Sequence, residues 1–432
     1  MAFKIGLLGL GTVGAGTAQI LLDTSGRNPL LKEIIIGRVG VRTLTKTRTP
    51  KFPPEIISTD LEAIVTDPNI DIVVELLGGL EPARSLILQA INRGKHVVTA
   101  NKAVIARHGY EIYEAANRAG VYVLLEASVG GGIPIIKPLK QSLGANRITS
   151  IIGIVNGTTN YILTEMTTAG ADFSDVLNEA QKLGYAEADP SADIDGWDAA
   201  DKIAILASLG FGGRIQRESV YCEGIREVSK VDIAYADKLG FVVKLLAIAK
   251  GLEGTESDTL QLRVHPTLVP KSHPLANVDE VNNAILVEGD PLGQVMFYGP
   301  GAGSGATASA VVSDIMNIVA ILKSSNHTQT IDPLLSCTHQ HYCKITPIKS
   351  IETRFYVRFL TRDVPGVIGH LGTSFGNYQV SLESVVQIGF KEGLAEIVVV
   401  THCVCEGNFR TALEEVRTLE AIKNIPSILR VL

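Results

Sequence analysis

The chain has 432 residues, 42 of them glycine, with 19% charged residues and a formal net charge of −6. At roughly 150 residues per domain this length predicts about three domains, and the apolar, low-charge composition excludes a disordered chain. The lack of a basic block in the sequence argues against a duplex-binding surface and favours a small-molecule partner. Five cysteines, an odd number without regular spacing, indicate a reducing compartment, so we expect a cytoplasmic protein.

The first element predicted along the chain is a strand at residues 3–8, which runs into a glycine-rich turn and a helix at 15–22. This order is typical of a dinucleotide-binding unit, in which the glycines let a pyrophosphate approach the backbone at the positive end of the helix. A purely structural glycine turn is the alternative. The uncharged stretch 5–22 could also be a signal peptide or membrane span, but its five glycines fit that interpretation poorly. The turn residues expected to contact the dinucleotide are Gly9, Gly11, Thr12, Val13 and Gly14.

The second predicted strand, residues 34–41, is followed by Arg42 and not by the acidic residue that binds the ribose 2′-hydroxyl of NAD. The next loop is rich in hydroxyl and basic side chains, which suits a 2′-phosphate. We therefore favour NADP(H) over NAD(H), with Arg42 as the residue expected to contact the phosphate. A solvated basic loop without a ligand explains the same residues.

Strands and helices continue to alternate as far as residue 126, and this alternation predicts a Rossmann-like, doubly wound parallel sheet. Ligands of such sheets lie beyond the carboxyl ends of the strands. Lys102 and Glu126 both fall just past predicted strand ends, so each is a candidate site residue as well as a candidate surface charge. The elements are strands at 71–77, 96–99 and 121–126, with helices at 82–93 and up to residue 119.

The pattern changes near residue 129. A strand at 147–155 and a helix at 174–183 are predicted before the acidic loop 184–196. Asp198 and Lys202 are four residues apart on the next predicted helix, which places both side chains on one face, one turn apart. An exposed ion pair is the ordinary explanation for such a pair. The loop and the start of the helix contain five acidic residues, and this number favours a functional role for the pair. So many like charges close together are unfavourable unless they are exposed to solvent or take part in binding or catalysis.

A glycine-rich loop at 299–305 precedes an apolar helix predicted at 306–322, and the loop either approaches a second phosphate or acts as a hinge. The tail beyond residue 354 has the element order βαββαβ, the ferredoxin-like split unit. The predicted fold class is therefore α/β. Its parts are a dinucleotide-binding domain at 1–128 completed by a helix at 302–322, an α+β middle domain at 129–301, a linker at 323–353 and a ferredoxin-like domain at 354–432.

Cysteine and histidine alternate in one segment, at Cys337, His339, His341 and Cys343. Ligands two apart on an extended strand lie about 6.5 Å apart, so the four cannot close on one zinc ion without a bend, and an ordinary linker strand is favoured. No cysteine precedes Cys222. The predicted catalytic region therefore lacks the nucleophile of a thiohemiacetal-forming aldehyde dehydrogenase, which favours direct redox chemistry between an alcohol and a carbonyl.

The segment from Ala180 to Lys202 resembles the signature of the homoserine dehydrogenase family. The glycine turn, the pair Asn101–Lys102 and the segments 156–160 and 301–314 agree with that family in the same order, so the resemblance covers about residues 1–325. The tail, with Asp363–Val367 between its first strand and helix, resembles an ACT domain, an amino-acid-sensing module. The residues that carry the signature are Ala180–Ala186, Asp189–Pro190, Asp193–Asp198 and Lys202.

This resemblance implies a reversible NAD(P)-dependent interconversion of L-aspartate 4-semialdehyde and L-homoserine, on the route to threonine, methionine and isoleucine. It implies that Lys202 is the general acid and base, that Asp198 is its partner, and that Lys102 lies between nicotinamide and substrate. The loop with Gly303 would return to the cofactor. Substrate contacts are implied for Gly184, Glu187, Asp193, Asp198, Asn156 and Thr158. A sodium ion is implied at Glu126 and at the backbone of Val129, Gly131 and Ile133.

The chemistry of the residues agrees with these roles. An aldehyde that accepts a hydride needs a proton donor, and the matched segments contain lysine but no histidine. An ordinary lysine, with a pKa of about 10.4, is a ready donor for reduction, whereas the reverse reaction needs the neutral amine. Homoserine oxidation is therefore expected to run better at alkaline than at neutral pH.

The sequence leaves two other functional classes open: another NAD(P)-dependent dehydrogenase of a small substrate on the same fold, and a non-catalytic amino-acid or redox sensor. The ACT-like tail suggests regulation, with threonine as the expected effector and methionine or no ligand as alternatives. Deletion of residues 346–432 is expected to leave an active, threonine-insensitive enzyme. The family and the low charge favour a homodimer or higher homo-oligomer, and neither nucleic acid nor a membrane is an expected partner.

Overall fold

The structure is a computed structural model that describes residues 2–252, 259–324, 332–337, 339, 341–391 and 393–432. Of the predicted linker 323–353, residues 325–331, 338 and 340 lie outside the described residues. The chain forms two compact units. The first unit contains residues 1–151, 201–218 and 283–343, and the second unit contains residues 152–200, 219–282 and 344–432.

The strands and helices are numbered in chain order. The described strands are β1 (Phe3–Leu8), β2 (Ile34–Gly40), β3 (Ile57–Ser58), β4 (Ile72–Glu75), β5 (His96–Thr99), β6 (Val123–Leu124), β7 (Arg147–Ile154), β8 (Tyr221–Cys222), β9 (Phe241–Gly251), β10 (Thr259–Pro270), β11 (Asn282–Asp290), β12 (Gly293–Pro300), β13 (Lys344–Ile345), β14 (Glu352–Thr361), β15 (Leu382–Lys391), β16 (Leu394–Thr401), β17 (Val404–Cys405) and β18 (Ile422–Val431). The described helices are α1 (Thr12–Leu22), α2 (Leu61–Thr66), α3 (Ala83–Asn92), α4 (Lys102–Ala119), α5 (Gly157–Ala169), α6 (Phe173–Leu183), α7 (Ser191–Ile194), α8 (Trp197–Phe211), α9 (Lys230–Lys238), α10 (Ser304–Ser324), α11 (Val367–Asn377) and α12 (Glu406–Thr418).

The first unit contains a parallel sheet with the strand order β3-β2-β1-β4-β5-β6, which confirms the predicted Rossmann-like sheet. Its order reverses between β1 and β4, which are neighbours, and open sheets of this kind bind ligands at such a switch point. The central strand β4 is buried along its whole length, as expected for a parallel strand covered on both faces. Strand β12 and the part of its partner β11 from residue 283 onward also belong to this unit.

Two boundaries in this unit differ from the sequence-based expectation for local reasons. Helix α1 begins at Thr12 and not at Ala15, because the amide of Ala15 already donates to the carbonyl of Gly11 at 2.8 Å. Strand β4 ends at Glu75, before the predicted end at residue 77. There the amide of Leu77 turns back to the Glu75 carboxylate at 2.8 Å, while Thr99 donates its hydroxyl proton to the same carboxylate at 2.6 Å.

Helix α10 belongs to the first unit and packs against α1. Its side chains Val311, Ile315 and Ile318 are fully buried in the same hydrophobic cluster as Ile5 and Leu7 of β1. Among the described residues α10 is the one helix long and apolar enough to cross a membrane. Its burial in this cluster identifies it as a core helix. The uncharged stretch 5–22 is likewise accounted for by strand β1 and helix α1.

The second unit is built on a sheet with the order β9-β10-β18-β14-β16-β15. The last four of these strands, with α11 and α12, form the predicted βαββαβ tail, whose core includes the stacked rings of Phe355 and Phe409, 3.7 Å apart. Strand β18 pairs in parallel with β10, with Thr267 opposite Arg430. The sheet of the tail therefore continues the sheet that β9 and β10 form in the middle region, residues 219–282.

Candidate active site

The glycine turn of the first unit has the shape that a dinucleotide requires. Gly9 has a φ of +103°, and a Cβ on Gly14 would lie 2.1 Å from the carbonyl oxygen of Gly9, so neither position accepts a side chain. A Cβ on Gly11 would meet nothing within 4 Å, which leaves its outer side open. Gly11 precedes the first turn of α1 and offers no side-chain cap, so the helix amides remain available to an anion.

The second glycine loop, which contains Gly303, lies beside this turn. Ser304, the first residue of α10, donates its hydroxyl proton to the carbonyl of Thr12 at 2.8 Å. A Cβ on Gly16 would lie 2.7 Å from the Ser304 hydroxyl oxygen, so the start of α10 is in close contact with α1. Gly303 itself has a φ of +118° and open space at its Cβ position.

Arg42 follows the carboxyl end of β2, and Lys102 follows the carboxyl end of β5. The glycine turn lies at the same edge of the sheet. Arg42 is exposed, and no hydrogen bond of its guanidinium occurs within the described residues. Lys102 is the first residue of α4, whose position is fixed by Asn101. The Asn101 side chain accepts the Val104 amide at 3.2 Å and donates to the carbonyl of Gly79 at 2.8 Å.

Glu126 is buried, and its carboxylate accepts three successive backbone amides, those of Ile135, Ile136 and Lys137, at 2.6–2.8 Å. Its own amide donates to the carboxylate of Asp314 on α10 at 2.8 Å. Burial raises the pKa of Asp314 well above its ordinary value, and the nearby charge of Glu126 raises it further.

The predicted sodium ligands Val129, Gly131 and Ile133 lie in the turn after Glu126. A Cβ on Gly131, whose φ is +55°, would lie 2.4 Å from the carbonyl oxygen of Gly301, so this turn is packed against the second glycine loop. Asp314 was not among the predicted site residues. A single acidic residue inside the otherwise apolar helix 306–322 was the signal that could have found it.

The acidic loop of the second unit is organised by Asn156. This side chain accepts the Thr159 amide at 2.9 Å and so caps α5, while its Nδ2 donates to Asp193 at 2.7 Å and to Asp198 at 2.9 Å. Thr158 donates its hydroxyl proton to the carbonyl of Tyr185 at 2.7 Å. Three predicted substrate residues, Asn156, Asp193 and Asp198, are therefore joined directly by hydrogen bonds.

The rest of this loop begins at Gly184, which ends α6 in the left-handed conformation with a φ of +77°. Gln181 donates its side-chain amide to the carbonyl of Glu187 at 3.0 Å. That contact holds the backbone of the loop and leaves the Glu187 carboxylate exposed.

Asp198 and Lys202 lie on consecutive turns of α8, as the spacing predicted. They are only 6% and 8% exposed, so the interpretation as a solvated surface ion pair is wrong. Asp201, between them in sequence, is bound to Arg217 at 2.6 Å and Arg107 at 3.0 Å. The Asp201 carboxylate is therefore paired with two arginines.

Comparison with known proteins decides the family. Residues 9–126 match the NAD-binding domain of homoserine dehydrogenase, residues 134–316 match the homoserine dehydrogenase domain, and residues 355–421 match the ACT domain. Over 432 residues, all of both chains, the sequence is 72% identical to a homoserine dehydrogenase from Synechocystis. The chain belongs to the homoserine dehydrogenase family. It is an oxidoreductase that acts on a CH–OH group, and the ACT-like tail is an ACT domain.

Solved structures of the family agree with this assignment. A homoserine dehydrogenase from Thiobacillus denitrificans is 42% identical with a TM-score of 0.92, over 100% of this chain and 98% of that one. A hyperthermophilic archaeal homoserine dehydrogenase in complex with NADPH is 29% identical with a TM-score of 0.62, over 76% of this chain and 100% of that one. The family match contradicts the alternative of a different dehydrogenase on the same fold.

Proposed function

We propose that this chain catalyses the reversible reduction of L-aspartate 4-semialdehyde to L-homoserine with NADPH as the preferred cofactor, on the route to threonine, methionine and isoleucine. The observation that carries the proposal is the joined set of Asn156, Asp193 and Asp198, with Lys202 one helical turn beyond Asp198. A buried lysine beside this set supplies the proton donor that carbonyl reduction needs.

The residues of the glycine turn fit a dinucleotide, because Gly9 and Gly14 exclude side chains and Gly11 leaves room at the amino end of α1. We assign the pyrophosphate to Gly9, Gly11, Thr12, Val13 and Gly14, with Gly303 beside them and Lys102 at the nicotinamide end. A nicotinamide bound there supplies the hydride for reduction and takes it up in oxidation. The fixed position of Lys102 at the start of α4 is consistent with a positioning role.

Lys202 is assigned as the general acid in reduction and the general base in oxidation. As the carbonyl oxygen of the semialdehyde becomes an alkoxide, the Lys202 ammonium gives it a proton and becomes the neutral amine. Asp198 orients the lysine, because Asn156 fixes its carboxylate by a hydrogen bond at 2.9 Å. In homoserine oxidation the neutral amine takes the hydroxyl proton back.

The acidic loop is assigned to the amino-acid end of the substrate. Homoserine and aspartate semialdehyde both carry an ammonium group, and carboxylates are its natural acceptors. Asp193 is held in place by Asn156, and Glu187 presents an exposed carboxylate from the same loop. Gly184 and Thr158 are assigned to substrate binding through the backbone of the loop. Thr158 donates to the carbonyl of Tyr185 and so fixes the backbone one residue beyond Gly184.

Sodium is assigned to Glu126 and the carbonyls of Val129, Gly131 and Ile133. The donor set fits, because carboxylate and carbonyl oxygens are the ligands of hard cations. Three of the roughly four lone-pair sites of the Glu126 carboxylate accept amides, which leaves capacity for one further partner. The nearby Asp314, whose pKa burial raises, adds a second acidic group that a cation would favour in its ionised form.

Threonine is assigned as the effector of the ACT domain. A cavity of about 160 Å³ lies at the turn between β14 and α11 and is lined by Asp363, Gly366 and Gln387 among others. Gly366 has a φ of +91° and precedes α11. Exposed amides and a neighbouring carboxylate suit the two charged ends of a small amino acid.

We also infer a cytoplasmic homodimer, in agreement with the low charge of the chain.

The cofactor preference can be tested at Arg42. We expect Arg42→Gln to lower kcat/KM for NADPH about tenfold or more, because a hydrogen bond to a charged group contributes about 1.5–3 kcal/mol. The value for NADH should change less than about twofold, since NADH lacks the 2′-phosphate. Arg93→Gln is the matched control, because this exposed arginine precedes β5 at the amino ends of the strands. An equal loss with both cofactors would contradict the assignment.

The proposed reaction is tested by NADPH oxidation with L-aspartate 4-semialdehyde, followed at 340 nm. We expect saturable turnover, formation of homoserine, a higher rate in NaCl than in choline chloride, and inhibition by threonine. Absence of semialdehyde-dependent oxidation would contradict the substrate assignment. A rate independent of sodium or of threonine would contradict only the corresponding part.

A further inference from the structure

Residues 221–226, here called the bridging segment, contact both the ACT domain and the acidic loop, and all three belong to the second unit. The segment begins as the short strand β8, which pairs with β10 at Arg263 and Val264. The Glu223 amide extends this pairing by donating to the carbonyl of Val264 at 2.8 Å. Its backbone is therefore fixed to the sheet that continues into the ACT domain.

On the ACT side the contact is made by Arg430 of β18, which is 3% exposed. Its guanidinium donates to Glu223 at 2.8 Å and to the Tyr221 hydroxyl at 3.2 Å. Within the ACT domain the same guanidinium binds both oxygens of Glu406, the first residue of α12, at 2.7 and 3.0 Å. Arg430 thus joins the bridging segment to an ACT helix through one buried planar group.

On the other side the segment lies directly against the acidic loop. The Ile225 amide donates to the carbonyl of Ile194 at 2.8 Å, and the Cys222 thiol donates to the carbonyl of Asp195 at 3.2 Å. The guanidinium of Arg226 forms a bidentate pair with the Asp195 carboxylate. A Cβ on Gly224 would lie 2.2 Å from the carbonyl oxygen of Ile194, so the two backbones touch without intervening space.

Ile194 and Asp195, the loop residues that the bridging segment contacts, lie between two assigned site residues. These are Asp193, assigned to the substrate, and Asp198, assigned to the substrate and as the partner of Lys202. Asp193 comes directly before Ile194, Asp198 follows Asp195 by three residues, and Asn156 binds both carboxylates. A close-packed contact transmits displacement because no void can absorb it. A shift of the bridging segment must therefore move Ile194 and Asp195, or break their hydrogen bonds to it.

We propose that the bridging segment positions the acidic loop for the amino-acid substrate, and that the ACT domain acts on substrate affinity through Arg430 and Glu223. The inference rests on the proposed role of the acidic loop in holding homoserine. Glu223 and Arg226 are positioning residues, since each acts through another group. An effector that moves α12 or β18 changes the affinity for homoserine, and homoserine changes the affinity for that effector by the same factor.

The test is Glu223→Gln in the full-length enzyme, with Tyr235→Phe as the matched control. Tyr235 also links the middle region to the ACT domain, through its hydroxyl to Glu396, but it lies on α9 and not in the bridging segment. We expect Glu223→Gln to raise KM for L-homoserine about three- to thirtyfold, with kcat and KM for NADP+ within about twofold. Tyr235→Phe should leave KM for homoserine unchanged even if it lowers Tm. Threonine inhibition should weaken in Glu223→Gln while threonine still binds in calorimetry.

Arg226→Gln provides the second measurement, because this half-exposed side chain can be changed without disturbing a buried group. It should raise KM for homoserine in the same way, and the double variant should show less than the product of the two single effects. Unchanged KM in both single variants, or an equal change in Tyr235→Phe, would overturn the proposal. Absence of homoserine-dependent NADP+ reduction in the parent enzyme would instead overturn the proposed function.

Discussion

Replacement of Lys202 by alanine should reduce turnover with aspartate semialdehyde by about 10²- to 10⁴-fold, the usual contribution of a positioned general acid. NADPH should still bind with an unchanged Kd, because Lys202 lies on α8 and the dinucleotide is assigned to the glycine turn. Lys202→Met should behave in the same way while filling more of the buried space. Steady-state rates and NADPH fluorescence titration measure the two properties independently.

Lys182→Ala is the matched control for this experiment, since Lys182 lies in the same signature segment but is exposed at the end of α6. We expect its kcat and KM to stay within about twofold of the parent enzyme. Retention of more than about a tenth of the parent kcat in Lys202→Met would contradict the role of Lys202 as proton donor. Loss of NADPH binding together with turnover would point to misfolding.

The parallel sheet of the first unit could be predicted from the sequence because the signals for its strands and for its glycine turn are local. Strands such as β4 and β5 are short apolar runs between helices, and the glycine at position 14 is required by the carbonyl of Gly9, five residues earlier. The prediction that Asp198 and Lys202 lie on one face of a helix rested on their spacing, and α8 has that spacing. Burial distinguishes this pair from a surface pair, and burial depends on the tertiary fold.

The features that the sequence did not predict depend on residues far apart in the chain. Nothing in the pattern of residues 422–431 shows that this strand pairs with β10 as well as with β14. Asp314 contacts Glu126 across 188 positions, and Arg430 contacts Glu223 across 207. Such pairings follow from how the sheets are assembled, which local periodicity does not encode.

The contacts of the ACT domain change the result expected from deletion of residues 346–432. The expectation that deletion of 346–432 leaves an active enzyme treated the ACT domain as an independent attachment. In the structure Asp232 of α9 is fully buried, and its carboxylate is bound by Arg358 of β14 at 2.7 and 3.2 Å and by the Tyr356 hydroxyl at 3.1 Å. Deletion removes both of these donors and also strand β18, which pairs with β10, so we expect the shortened chain to be strongly destabilised.

Replacement of Arg358 by methionine should test this with a single side chain and lower the free energy of unfolding by about 3–5 kcal/mol, as expected when one partner of a buried ion pair is removed. Arg358 also binds Glu396 at 3.1 Å, so its loss leaves two buried carboxylates without their cation. Burial, together with the hydrogen bond to Glu396, raises the pKa of Tyr235 to about 12, so that phenol stays protonated and donates to Glu396. A phenol cannot supply the missing positive charge.

Arg362→Met is the matched control, because Arg362 pairs with Glu420 at 2.6 Å but both side chains are exposed, at 49% and 85%. We expect this variant to lose no more than about 1 kcal/mol, since exposed ion pairs contribute little. The double variant Arg358→Met, Asp232→Leu should recover part of the loss, because it removes the unpaired charge as well as its partner. Urea unfolding of the three variants measures these differences. A loss below about 1 kcal/mol in Arg358→Met would show that the ACT domain is held mainly by the pairing of β18 with β10, and the buried charges would then have little part in its attachment.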